Sequence, residues 1–162
     1  VTREITARPL TAEAIAPYGE VIEASGSPDK IINQGMCGRY HDLAALDFTD
    51  GRAGISLFDA KARHLPCKVE MVERHPQGSQ AFIPVNAVPM LVVVADDQDG
   101  TPVNPRAFLS APGQSINLRR NIWHGVLSPI GAPGTYVVID RIGDGPNLEE
   151  HWFDAPFIVT SA

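Results

Sequence analysis

Cysteine is nearly absent from the 162-residue chain: Cys37 and Cys67 stand alone, with no C-x-x-C spacing, which excludes a disulfide framework and predicts two free thiols. Nothing cationic or helical surrounds either one to activate a thiolate nucleophile. Long apolar runs are missing as well. The longest, Met90 to Ala95, is far below the length that spans a bilayer, and the first residues carry no apolar signal region. A soluble, cytoplasmic protein without a membrane partner is expected. Positive charge is also scarce, 13 Lys and Arg against 19 Asp and Glu, for a net charge of -6. Such a chain offers no basic field to a phosphate backbone, and Arg119-Arg120 is too short to supply one, so nucleic acid is not an expected partner. No internal repeat, heptad, charge block or linker divides the sequence, and one domain over residues 1–162 is expected.

What the chain does have is 44% hydrophobic residues and 14 glycines and 14 prolines scattered along it. That combination predicts a substantial core built from many short strands and tight turns, hence an all-β fold and not a helical bundle. The strand pattern covers Thr2 to Leu10, Glu20 to Glu23, Gly54 to Asp59, Lys68 to Val72, Gln80 to Pro84 and Met90 to Ala95. It continues over Arg106 to Leu109, Ser115 to Leu118, Gly125 to Leu127 and Tyr136 to Asp140, a spacing that suits an antiparallel barrel or jelly roll. One short helix is predicted at Thr11 to Ala16, capped by the Thr11 hydroxyl and stopped before Pro17. Pro146 to Ala162 reads as an arm covering a barrel end or crossing to another subunit.

Two polar clusters interrupt this apolar pattern. In the first, Glu70 to Pro84, alternation along a strand turns Glu73 and His75 to one face and Arg74 to the other. The turn at Pro76 to Gly78 then brings Gln80 back on the following strand. The second cluster is Arg119-Arg120-Asn121-Ile122-Trp123-His124, and a closed barrel can bring the two together. His75 or His124 taken alone reads equally as a hydrogen-bonded histidine at a barrel rim. Taken together, Glu73-x-His75-x4-Gln80 followed by His124 resembles the cupin arrangement, in which two histidines and a carboxylate from one motif and a histidine from a second surround a metal. Here Glu73 stands in place of the first histidine and Gln80 in place of the glutamate. An amide oxygen is a neutral, weak donor, so Glu73, His75, Gln80 and His124 would hold a divalent ion such as Ni, Zn or Mn only weakly. Trp123 and Phe82 read as barrel packing.

Closer still, Pro17-Tyr18-Gly19-Glu20-Val21-Ile22, Arg39-Tyr40-His41-Asp42, Glu73-Arg74-His75-Pro76, Gln80-Ala81-Phe82-Ile83-Pro84, Arg120-Asn121-Ile122-Trp123-His124 and Ile139-Asp140-Arg141 resemble the ureidoglycolate lyase family. The resemblance implies a cupin-like barrel, dimeric as a rule, that splits (S)-ureidoglycolate into glyoxylate and urea in allantoin and purine degradation. In one departure, family members commonly carry a second histidine after the position of His124, where this chain has Gly125. The substrate bears a carboxylate, a hydroxyl and a ureido nitrogen on one carbon, so elimination needs a base, an acid and a cation. His75, His124 and Glu73 are the candidates for proton transfer or metal binding. One of Arg74, Arg119, Arg120 and Arg141 is expected to hold the carboxylate, because a guanidinium donates two parallel hydrogen bonds to it. Gln80, Tyr40 and His41 complete the candidate substrate contacts. Two rival readings remain at this level: a metal-dependent cupin isomerase or dioxygenase, and a non-catalytic binding module for a small acid.

Overall fold

The computed structural model describes residues 3–162. In chain order its elements are β1 (Arg3–Pro9), α1 (Ala12–Ile15), β2 (Gly19–Ile22), β3 (Lys30–Ile32), β4 (Cys37–Arg39), β5 (Arg52–Ala60), β6 (Cys67–Arg74) and β7 (Gln80–Pro84). Then follow β8 (Met90–Gln98), β9 (Thr101–Leu109), β10 (Ser115–Leu118), β11 (Trp123–His124), β12 (Ser128–Pro129), β13 (Gly134–Ile142) and β14 (Glu149–Ser161). The first predicted strand thus begins at Arg3 among the described residues, Thr2 lying outside them. Helix α1 has the expected cap, the Thr11 hydroxyl accepting from the Ala14 amide at 3.1 Å.

Strand β8 explains the architecture. Its first six residues are all buried because both of its faces are covered, which is why this stretch reads as a continuous apolar run and not as an alternation. Leu91, Val93 and Ala95 point into one core with Ala7, Val72, Ala107, Trp123 and Val159. Met90, Val92 and Val94 point into a second core with Phe82, Phe108, Ile116, Leu118, Tyr136 and Val138. The first core fills a closed ring, since β6, β14, β1, β9 and β8 pair in succession and β11 bridges β8 back to β6. The second lies between that ring and a five-stranded sheet ordered β2-β10-β7-β13-β5. The fold is therefore all-β, a closed barrel with a sheet packed on its flank. The hairpin joining β8 to β9 turns at Asp99-Gly100, whose φ values of 52° and 84° suit the right-handed twist of the strands.

Several expectations are corrected. Residues 125–127 form no strand; the chain crosses them between the two-residue strands β11 and β12. Pro146 to Ala162 is no arm, because thirteen of its residues form β14, held between β6 and β1 inside the ring. The barrel is not wholly antiparallel, β1 running parallel to both of its neighbours. The turn at Pro76 to Gly78 does not close a hairpin but hands the chain from the ring to the flanking sheet. The expected pair of free thiols, by contrast, is found: Cys37 is exposed and Cys67 is buried.

Candidate active site

Register fixes the heart of the site. His124 on β11 stands directly opposite Glu73 on β6 and Val94 on β8, and residues paired across an antiparallel ladder share a face. That face looks toward the flanking sheet, where the Phe82 ring meets His124 edge-on with centroids 6.3 Å apart. His75, two residues beyond Glu73, turns to the same side, its ring centroid 5.2 Å from that of His124. One ligand atom from each of Glu73, His75 and His124 lies within 4.8 Å of the others, and His75 Nε2 is 4.0 Å from Glu73 Oε1.

The backbone sets the state of both imidazoles. His75 Nδ1 lies 2.9 Å from the Asn147 carbonyl and His124 Nδ1 lies 2.9 Å from the Gly125 carbonyl. A carbonyl only accepts, so each Nδ1 carries a proton, and a neutral ring in either position presents Nε2 as its lone pair. Both Nε2 atoms are buried with no protein partner, as is Gln80 Oε1, while Gln80 Nε2 donates to Asp140 Oδ2 at 3.1 Å. Burial, with repulsion from His75, pushes His124 down to about 4, so the ring is neutral at neutral pH. Burial pushes the Glu73 carboxyl above the usual range, Glu150 adds to the rise, and His75 opposes it. Two histidines oriented by carbonyls through Nδ1, with unpartnered Nε2 atoms beside a carboxylate, are a donor set that fits a divalent ion.

The other candidates are placed elsewhere. Arg74 turns to the opposite face, its guanidinium 4.3 Å above the Trp123 ring and paired with Asp97 at 2.9 Å and Glu149 at 2.6 Å. Arg120 is bound to Asp47 at 3.3 Å and to the Thr49 hydroxyl. Arg119 reaches the Ala16 carbonyl and Glu20. Arg141 is buried and spends its guanidinium on the carbonyls of Thr49, Asp50 and Asp144. The Tyr40 hydroxyl donates to the Gly26 carbonyl and its ring lines a different cavity with Thr11 and Glu23, whereas His41 is exposed. Gly125 packs closely on Val93: a Cβ built on it would stand 3.1 Å from the Val93 Cβ.

Glu73 opens into a cavity of about 840 Å³ walled by residues 58–63, the end of β5 and the three residues after it, and by Val126 and Leu127, which follow closely on His124. Sequence reasoning passed over this wall, Lys61 and Arg63 included, because residues 60–66 have neither strand alternation nor a recognisable motif. The orienting carbonyls of Asn147 and Gly125 were equally invisible, since a backbone carbonyl carries no sequence signal.

Comparison with known proteins bears on the same residues. A family model described as ureidoglycolate lyase matches residues 2–160. The ureidoglycolate lyase of Rhodobacter capsulatus is 63% identical over 152 residues, covering 93% of this chain and 94% of that protein. Its counterpart in Mesorhizobium japonicum is 53% identical over 157 residues, covering 96% of each. Ureidoglycolate lyase 2 of Rhizobium meliloti is 47% identical over 157 residues, again covering 96% of each. Among solved structures, RmlC from Streptococcus suis in complex with dTDP-D-xylose gives a TM-score of 0.41 at 12% identity, over 84% of this chain and 56% of that one. With a family model matched along almost its whole length and relatives this similar end to end, the chain belongs to the ureidoglycolate lyase family.

Proposed function

We propose that this chain is a ureidoglycolate lyase that splits (S)-ureidoglycolate into glyoxylate and urea, a carbon-nitrogen cleavage belonging to purine and allantoin breakdown. Family membership supports the reaction; the convergence of Glu73, His75 and His124 carries the assignment of the site. The substrate carbon bears a hydroxyl and the ureido nitrogen. As the hydroxyl loses its proton, its oxygen forms the new C=O, the C–N bond breaks, and its electron pair stays on nitrogen, which takes up a proton to become urea. One proton moves from oxygen to nitrogen, with none gained or lost overall. A single group of raised pKa suits that shuttle, and Glu73 is that group: its carboxylate accepts the hydroxyl proton and returns it to the leaving nitrogen. His124, kept neutral by burial with its Nδ1 proton on the Gly125 carbonyl, acts through Nε2 as an acceptor or ligand, and His75, its Nδ1 likewise on a carbonyl, turns its Nε2 to the same cluster. A divalent ion would be held by His75 and His124 with Gln80 Oε1 as a weak donor, Glu73 joining them only by giving up the shuttle because a bound cation lowers a carboxylate's pKa, and the ion would supply Lewis-acid polarisation of the substrate oxygen. The proposed partner is a second copy of the chain, forming a homodimer in the cytoplasm.

Incubation with ureidoglycolate is expected to release urea and glyoxylate in equal amounts, with no ammonia and no oxygen-18 from labelled water in the urea. The His124→Ala variant is expected to turn over roughly a hundredfold more slowly or worse. Stoichiometric ammonia and carbon dioxide would mean amide hydrolysis and would overturn the assignment. A metal-dependent isomerase or dioxygenase is the second reading, supported by the same unpartnered Nε2 pair, and oxygen consumption would favour it.

A further inference from the structure

The elimination just described leaves one need unmet: the substrate carries a carboxylate into a mouth whose innermost acid is Glu73. Each of the four arginines expected to receive it is committed elsewhere, Arg141 to three carbonyls, Arg74 to Asp97 and Glu149, Arg120 to Asp47 and Thr49, and Arg119 to Ala16 and Glu20. The cavity wall contains two other cations, Lys61 and Arg63. Neither joins any of the ion pairs among the described residues. The second acid of the wall, Asp59, is turned to Thr135, its Oδ1 accepting from that hydroxyl at 2.8 Å.

Their backbone is fixed although their side chains are exposed. The Arg63 amide donates to the Pro129 carbonyl and the Arg63 carbonyl accepts from the Gly131 amide, each at 2.8 Å, which ties the segment to the chain just beyond β12. Lys61 is two residues earlier, directly after the end of β5, so both cations hang from anchored backbone at the rim of the cavity into which Glu73 opens. A cationic pair held in this way can attract and orient an anionic substrate without being neutralised by a neighbour.

We infer that Lys61 and Arg63 form the clamp that receives the substrate carboxylate and so select for acidic over neutral ureido compounds. The inference rests on the lyase reading, and the test separates the two. N-(hydroxymethyl)urea undergoes the same elimination, to formaldehyde and urea, but lacks the carboxylate. Comparing Lys61→Gln, Arg63→Gln and the double variant with the wild type on both substrates forms a cycle between enzyme charge and substrate charge. On ureidoglycolate, kcat/KM of the double variant is expected to fall roughly a hundredfold, mostly through KM, and on the neutral compound to stay within about threefold. Lys61→Arg is expected to keep most of the selectivity. Binding of oxalurate, an unreactive ureido acid with the same carboxylate, measured by calorimetry, is expected to weaken at least about tenfold in the double variant and to weaken with salt in the wild type alone. Equal losses on both substrates, or unchanged oxalurate binding, would overturn the clamp. Wild-type protein that releases no urea would withdraw the lyase reading, while the oxalurate titration still decides the clamp.

Discussion

His124 is held in its neutral form by burial, and this has a measurable consequence for stability. Its folded pKa lies near 4, below the 6.5 of an exposed imidazole. Between those values the unfolded chain binds the extra proton and the folded chain does not, so stability rises with pH across the window. The contribution is fully present above about 6.5 and is lost as pH falls toward 4, amounting to roughly 3 kcal/mol. Denaturant unfolding of metal-free protein at pH 7 and pH 4.5 is expected to show this loss in the wild type, on top of the carboxylate contributions, and not in His124→Asn. Parallel pH curves for the two proteins would show that the ring titrates freely. Glu73 shifts the other way, its carboxyl raised by burial, so the two groups that face each other across β6 and β11 respond to burial with opposite signs.

At the scale of elements, the short strand β11 does two jobs by alternation alone, Trp123 facing the ring interior and His124 the flanking sheet. Arg74 covers Trp123 from above and ties the end of β6 to Glu149 at the start of β14 and to Asp97 near the end of β8. Removing it with Arg74→Ala is expected to cost about 1–3 kcal/mol, since stacking and two partly screened ion pairs go together. Arg74→Lys is expected to recover little, because an ammonium cannot stack as a planar guanidinium does. Unfolding monitored by tryptophan fluorescence measures both, and a variant as stable as the wild type would reduce Arg74 to a surface charge. Alternation made the facing of Glu73, His75 and Arg74 legible in the sequence, and the polar clusters marked the strands that meet. Parity does not carry from His124 back to Arg120, because Asn121 at a φ of 65° interrupts the extended chain between them. Strand β14 was missed because Pro156 and the irregular register between Trp152 and Phe157 disguise its pattern, and the Lys61–Arg63 rim because position in space, not pattern, gives it meaning.

At the scale of the whole molecule, the flanking sheet ends on one side in a long open edge strand. Strand β5 pairs with β13 on one side only, and its outer face carries Ile55 at 75% and Leu57 at 70% exposure. Beside them in register stand Ile139 and Val137, both only half-buried, so the stripe continues onto the next strand. A long apolar edge strand is a template for further pairing and is normally shielded or used. Antiparallel pairing of two copies of β5 about a two-fold axis satisfies the free ladder, joins the two apolar stripes, and brings the Arg52 end of each strand to the Asp59 end of its mate. That match of like faces and opposite charges favours a second copy over an unrelated partner. Light scattering is expected to give twice the chain mass for the wild type and the single-chain mass for Leu57→Asp, whose buried carboxylates would repel across the axis. Because residues 58–63 run on from β5 into the cavity wall, the monomeric variant is also expected to show a raised KM for ureidoglycolate with kcat less affected. A wild type that scatters as a single chain, or a Leu57→Asp protein that remains paired, would leave β5 without this role and place any association on another face.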